Sequence, residues 1–213
     1  MFRDRADAAS RIAVRLAHLR GTRPLVLAVP RGGVPMGALV AEALDGDLDV
    51  VLVRKLGAPG NPEYAVGAVG EDGEIQLNED VDPDDLPPGY LEREAAAQLD
   101  TLRRRRRLYS PVRPPLDPAG RTVIVVDDGV ATGSTLLAAL RAVRARGPSH
   151  LVAAVGVAPR DTASTLEAAA DEVVCVETPR SFFAVGQFYR DFSPVEDDDV
   201  IAILRAADAQ ARE

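Results

Sequence analysis

Two adjacent carboxylates, Asp127 and Asp128, close a run of four apolar residues, Val123-Ile124-Val125-Val126. The segment Gly129-Val130-Ala131-Thr132-Gly133-Ser134-Thr135 follows at once and opens a helical pattern, Leu136-Leu137-Ala138-Ala139-Leu140. Each part implies a chemistry. The start of a helix offers unpaired backbone N–H groups and the positive end of a dipole, which together favour a phosphate. Gly133 lets the backbone come close to an anion, and Thr132, Ser134 and Thr135 carry hydroxyl donors. Asp127 and Asp128 would repel a phosphate at contact distance. They suit a polyol one sugar-width away, because an ionised carboxylate accepts hydrogen bonds from vicinal hydroxyls. The combination describes a site for a ribose carrying a 5-phosphate.

A second constellation, Pro30-Arg31-Gly32-Gly33, follows the apolar run Leu25-Val26-Leu27-Ala28-Val29. Exposed N–H groups beside one guanidinium suit a pyrophosphate, since arginine binds two phosphate oxygens at once. A basic pair, Arg54-Lys55, ends a third apolar run, Val50-Val51-Leu52-Val53. Such a pair could neutralise charge building up on a departing pyrophosphate, or stand solvated on a surface hairpin.

The elements that must position these groups are legible in outline. Continuous β-branched runs read as strands buried on both faces, here 25–29, 50–53, 123–126, 151–157 and 173–176. Helical spacing marks residues 7–20, 35–44, 90–109, 134–146, 162–170 and a last helix from about Pro194. Residues 54–78 read as a long loop carrying a hairpin around Tyr64, Val66, Ala68 and Val69. Pro111 to Pro118, with four prolines in eight residues, reads as a stiff connector. Strands alternating with helices predict an α/β fold with a parallel β-sheet and helices on both faces. Ligands bind beyond the carboxyl ends of such strands, which aligns Pro30–Gly33, Arg54-Lys55 and Asp127-Asp128 along one edge.

Composition narrows the alternatives. At 213 residues and 46% hydrophobic content the chain is expected to form one domain with a sizeable core. A net charge of −8 argues against a general binder of nucleic acid or membrane surfaces. The single cysteine, Cys175, sits in an apolar run and cannot form an internal disulfide. His18 and His150 lie far apart in sequence, so a Cys/His metal cluster is not expected. The charged Met1-Phe2-Arg3-Asp4 start and the lack of long apolar runs predict neither signal peptide nor membrane span, and hence a cytoplasmic protein. No P-loop motif is present, and no Gly-x-Gly-x-x-Gly follows a strand.

Residues 123–135 resemble the 5-phosphoribosyl 1-pyrophosphate (PRPP) motif of the type I phosphoribosyltransferases: four apolar residues, two acids, a spacer, then Thr-Gly and small or hydroxyl residues. The resemblance extends over about 25–176 and is most specific at the motif itself. It implies transfer of the 5-phosphoribosyl group from PRPP to a nitrogen acceptor, a nucleobase in most members, with release of pyrophosphate. It implies Mg2+ bridging substrate oxygens, with Asp127 and Asp128 contacting it directly or through water. It places Arg31, Gly32 and Gly33 on the pyrophosphate, in a loop that in this family often holds a non-proline cis peptide. Residues Gly129 to Thr135 would hold the 5-phosphate. Asp127, Asp128, Arg54 and Lys55 would act in the transfer step, either aspartate being a candidate for the acceptor's proton. Residues 54–78 would be the mobile loop that closes over PRPP within a core spanning 1–178. Residues 179–213 would form a C-terminal hood over the base in the same domain, with homodimerisation left open.

Three further features complete the reading. Phe182, Phe183, Phe188, Tyr189 and Phe192 crowd the expected hood, either to stack on a base, with Phe183 the candidate, or to anchor the loop. Arg103 to Arg107 point in all directions from a helix and read as a solvated helix end in preference to an anion or RNA site. Asp197-Asp198-Asp199 reads as the acidic first turn of the final helix. The alternative to an enzyme is a PRPP-binding regulatory protein without transferase activity.

Overall fold

The structure, a computed structural model, describes residues 1–78, 81–109 and 115–210. In chain order the elements are α1 (Arg5–Arg15), β1 (Leu25–Ala28), α2 (Gly33–Ala43), β2 (Asp47–Val50), β3 (Val53–Ala58), β4 (Asn61–Gly70) and β5 (Ile75–Leu77). There follow α3 (Tyr90–Tyr109), β6 (Thr122–Gly129), α4 (Ser134–Ala145), β7 (His150–Val157), α5 (Arg160–Glu167), β8 (Glu172–Glu177) and α6 (Asp197–Gln210).

Five strands make a wholly parallel sheet in the order β2-β1-β6-β7-β8. Side chains alternate faces along a strand, so a strand covered on both sides needs apolar residues at every position. In β6, Ile124 and Val126 join the buried cluster formed with α1, α2 and α6, while Val123 and Val125 join the one formed with α4 and α5. Val26 and Ala28 of β1 divide from Leu25 and Leu27 in the same way. The predicted α/β architecture, a parallel sheet with helices on both faces, is therefore the observed one. Val200 and Leu204 of α6 are buried in the first cluster, so the C-terminal segment shares the main core.

The run 50–53 is not a single strand. β2 ends at Val50 and β3 begins at Val53, with Val51 and Leu52 buried as the chain passes from one sheet to the other. Arg54 and Lys55 accordingly start an antiparallel strand instead of ending a parallel one. The segment read as a loop with a hairpin forms a three-stranded antiparallel sheet, β3-β4-β5. Its first turn is Pro59-Gly60, with Gly60 at φ +74°, and register shifts flank Gly57. Leu56, Val66 and Val69 are buried in the main core.

The arginine run also divides. Arg106 is largely buried, its Nε and Nη2 each 2.6 Å from a carboxylate oxygen of Glu71 and its Nη1 3.4 Å from Asp49. Only Arg103, Arg104 and Arg107 fit a solvated helix end. The first half of the proline-rich connector, 111–114, lies outside the described residues. The two histidines both face Glu172 Oε2, at 3.1 Å for His18 and 3.5 Å for His150. Among the described residues no group of three or more metal-binding side chains converges.

Candidate active site

The chain leaves β1 in one direction to build β2 and returns on the other side of β1 as β6. The connections after β1 and β6 therefore diverge and leave a crevice at their carboxyl ends, the position where open α/β sheets take ligands. Loop 29–33 and loop 129–134 are those two connections.

Loop 29–33 lies directly against the end of β6. Val29 N–H donates to the Val126 carbonyl at 2.9 Å, and the Pro30–Arg31 peptide is cis. A β-carbon on Gly32 would lie 2.1 Å from Asp128 Oδ2, and one on Gly33 would lie 2.6 Å from the Val126 carbonyl oxygen. Both contacts are closer than any side chain tolerates, so glycine at these positions is what lets the loop touch the strand.

β6 runs through both aspartates to Gly129, beyond the end expected for it. As consecutive strand residues, Asp127 and Asp128 point to opposite faces. Asp128 turns toward α1 and α2: its Oδ2 accepts from Arg5 Nε at 2.9 Å, and its backbone carbonyl accepts from the Tyr189 hydroxyl at 2.5 Å. Arg5 also donates to the Ser193 carbonyl at 2.7 Å and lies 4.0 Å above the Phe192 ring. Asp127 Oδ1 accepts from the Asp128 N–H at 2.9 Å. Burial raises the pKa of Asp127 well above the ordinary carboxylate value, and the neighbouring Asp128 raises it further. Burial also raises Asp128, opposed by the Arg5 guanidinium. Two carboxylates thus share one cation.

Loop 129–134 is pinned from outside. Val130 N–H donates to the Val157 carbonyl at 3.0 Å, and the Thr162 hydroxyl donates to the Ala131 carbonyl at 2.8 Å. Gly133 sits at φ +77° and caps α4 without a side-chain acceptor, so no side chain satisfies the first amides of that helix. Thr132 Oγ1 and Ser134 Oγ are 3.1 Å apart. The result is a rim of hydroxyls and amides fit for a monophosphate.

A cavity of about 390 Å³ joins these loops to the small sheet, lined by Pro30, Arg54, Lys55, Arg105 and Thr135 among others. Arg54 donates to Gln98 Oε1 at 3.0 Å, and Gln98 donates to Glu94 at 3.0 Å. A larger groove of about 740 Å³ lies across α4 between β4 and α5. It touches Ser134, and neither cavity is lined by Arg31, Asp127 or Asp128; the smaller one adjoins both ligand loops, through Pro30 and Thr135, and carries the basic side chains. Arg31 is engaged by Glu196, just ahead of α6.

The aromatic cluster resolves mostly into anchors. Phe182 stacks on Phe188 at 5.3 Å between centroids, and Tyr189 lies 4.9 Å from Phe2 and 5.0 Å from Phe192. Phe183 alone of these stands free, 87% exposed. The structure brings Arg31, Gly32, Gly33, Asp127, Asp128 and Gly129 to Thr135 around one crevice, with Arg54 and Lys55 across from them. Arg5, Tyr189, Arg105 and Glu196 belong to the same region; Tyr189 and Arg105 stood out in the sequence only as members of the aromatic cluster and the arginine run, and Arg5 and Glu196 carried no signal. Their roles arise from contacts across the fold, as with Arg5 and Asp128, 123 positions apart.

The sequence matches a family described as the phosphoribosyl transferase domain over residues 3–193. The chain belongs to this family. Two Mycobacterium tuberculosis proteins, from strains CDC 1551 and H37Rv, carry a provisional phosphoribosyl transferase name and are each 45% identical over 208 residues. The match spans 97% of this chain and 47% of those proteins, about half their length. The crystal structure of TT1426 from Thermus thermophilus is similar at 51% identity and a TM-score of 0.90, covering 96% of this chain and 98% of that one. The PRPP-motif resemblance at 123–135 thus falls inside a match that takes in α1 and the aromatic segment as well.

The donor set of this phosphoribosyl transferase domain fits magnesium of a particular kind. Half-buried Asp127 and buried Asp128, short of positive charge, would welcome a divalent cation, yet they do not build a cage by themselves. Magnesium keeps several waters and is usually bound through one or two carboxylates plus substrate oxygens. Among the described residues, no helix is long and apolar enough to cross a membrane.

Proposed function

We propose that this chain transfers the 5-phosphoribosyl group of PRPP to a nitrogen acceptor, releasing pyrophosphate in the cytoplasm. The reading is carried by one observation: the crevice between β1 and β6 brings a hydroxyl-rich helix start, an acid pair and an arginine–glycine loop within reach of one ligand. In it, Ala131 to Thr135 bind the 5-phosphate and Asp127 holds the ribose hydroxyls. Asp128, fixed by Arg5, keeps loop 30–33 in position for the pyrophosphate. The C1–oxygen bond to pyrophosphate breaks, the C1–nitrogen bond forms, and the acceptor nitrogen gives up its proton. Asp127 and Asp128 would hold magnesium directly or through water, and the ion would supply charge neutralisation to the substrate. Arg54 and Lys55 face the charge that gathers on the departing group. The protein's contribution is positioning and electrostatics, with no covalent enzyme intermediate.

Pyrophosphate release, measured with PRPP and magnesium across a panel of purine, pyrimidine and other nitrogen acceptors, tests the proposal. Turnover with one acceptor supports it; PRPP binding without turnover on any acceptor supports a regulatory role instead. One observation favours that second reading. Phe183, the residue best suited to stack on a base, projects into solvent and lines neither of the two cavities beside the crevice.

A further inference from the structure

We propose that Arg105, on α3, is a diphosphate-binding residue of the crevice, acting together with Arg54 and Lys55. The inference rests on the PRPP reading of the site and names the group that holds the far end of the ligand. Arg105 lines the cavity of about 390 Å³ together with Thr135 and Pro30 of the two ligand loops, on a helix that packs against β3 of the small sheet. Its neighbours on α3 have other tasks or none. Arg106 is committed to Glu71 and Asp49, Arg104 reaches back to Thr101, and Arg103 and Arg107 are exposed. Arg105 is half-buried, and no carboxylate among the described residues forms an ion pair with it.

Electrostatics select the ligand. Arg54 and Arg105 line this cavity beside Lys55, and Glu94, the carboxylate among its lining residues, is tied through Gln98 to Arg54. Two guanidiniums facing a partly enclosed space repel one another, and an anion with several charged oxygens relieves that repulsion. A guanidinium presents two N–H groups to two phosphate oxygens at once, so Arg105 is matched to a phosphate and not merely to negative charge. The monophosphate end of the ligand is already provided for at the start of α4. The cavity lined by Arg105 begins beyond it, past Thr135, and is large enough for a diphosphate with its waters. The helix set aside in the sequence as a solvated arginine run thus supplies one wall of the site.

The test is calorimetry on the full chain with magnesium pyrophosphate, ribose 5-phosphate and PRPP, comparing Arg105→Gln, Arg105→Lys and Arg103→Gln. We expect Arg105→Gln to weaken pyrophosphate and PRPP at least about tenfold while ribose 5-phosphate stays within twofold. Arg105→Lys should recover part of the loss, and Arg103→Gln should leave all three ligands unchanged. The inference is overturned if Arg105→Gln binds pyrophosphate within twofold of the parent, or if Arg103→Gln loses as much. It is also overturned, alone, if the parent binds ribose 5-phosphate and not pyrophosphate. A parent that binds none of the three ligands sinks the PRPP reading itself. Thermal melting checks that each variant is folded, and if Arg105→Gln is not, the pyrophosphate affinity of Arg105→Lys decides.

Discussion

Arg5 Nε donates to Asp128 Oδ2 at 2.9 Å, with both side chains almost out of water, at 13% and 11% exposure. The contact ties the first helix to the acid pair of the crevice and, through the Ser193 carbonyl, to the aromatic segment that follows β8. Removing one partner of a buried ion pair leaves the other uncompensated, at a cost of about 3–5 kcal/mol. Arg5→Ala is expected to lose stability at the lower end of that range, because a little water reaches the pair. Urea denaturation measures it, and adding Asp128→Asn to Arg5→Ala should recover part of the loss. No recovery would mean that Arg5 stabilises through Phe192 and Ser193 instead.

Asp127 makes stability depend on pH in a direction opposite to most carboxylates. Burial, then Asp128, raises its pKa in the folded chain well above the ordinary value of 3.8. The native state therefore holds the proton that the unfolded chain releases, and stability falls as pH climbs from about 4 through the raised native pKa. Below the unfolded value both states are protonated and nothing is lost. Asp127→Asn should be more stable than the parent at pH 7, by about 1.4 kcal/mol for each tenfold difference in proton affinity. The gap should close toward pH 4, while PRPP binding is abolished. Denaturation curves at pH 4, 5.5 and 7 would expose a flat difference, which is the result against this account.

The rim of loop 129–134 predicts selectivity within a single ligand. A Thr132→Ala, Thr135→Ala double variant removes two hydroxyl donors, each worth about 1.5–3 kcal/mol to a charged acceptor. Ribose 5-phosphate should lose most of its affinity and ribose little. Equal losses for the two in a side-by-side titration would remove the phosphate from this loop.

Glu196 occupies the guanidinium that the pyrophosphate is expected to need. The pair is partly exposed, 37% and 62%, so solvent screening limits it to about 0–1 kcal/mol. Glu196→Gln should therefore tighten pyrophosphate by no more than about fivefold, and the advantage should shrink at high salt. Weaker binding in the variant would show that Glu196 helps the ligand instead of competing with it.

The sheet and its ligand edge were legible because their physics is local. β1, β7 and the 123–126 stretch of β6 are apolar at nearly every position because both faces are covered, and the acids and hydroxyls follow where β6 gives way to α4. The small sheet was harder to see. β3 to β5 carry Gly57, Pro59, Gly60 and Gly67, residues that read as turns, and their pairing depends on bulges around Gly57 and on buried Leu56, Val66 and Val69. Arginines 103 to 107 are chemically identical, and only the turn of α3 decides that Arg106 meets Glu71 while Arg105 meets the cavity. Arg5 and Tyr189 act on Asp128 across spans of 123 and 61 residues, and nothing in their own neighbourhoods announces it.

Arg106 has a mechanical consequence. It grips Glu71, in the turn between β4 and β5, while also holding Asp49 and the Val50 carbonyl of β2. Swinging residues 53–77 away as a body would break this rivet and drag Leu56, Val66 and Val69 into water. The Pro59-Gly60 tip lies clear of it, and an ideal β-carbon at Gly60 meets no atom within 4 Å. Movement within this sheet is then cheapest at the hairpin tip, and a substitution that stiffens it is expected to slow ligand entry and exit together without changing affinity.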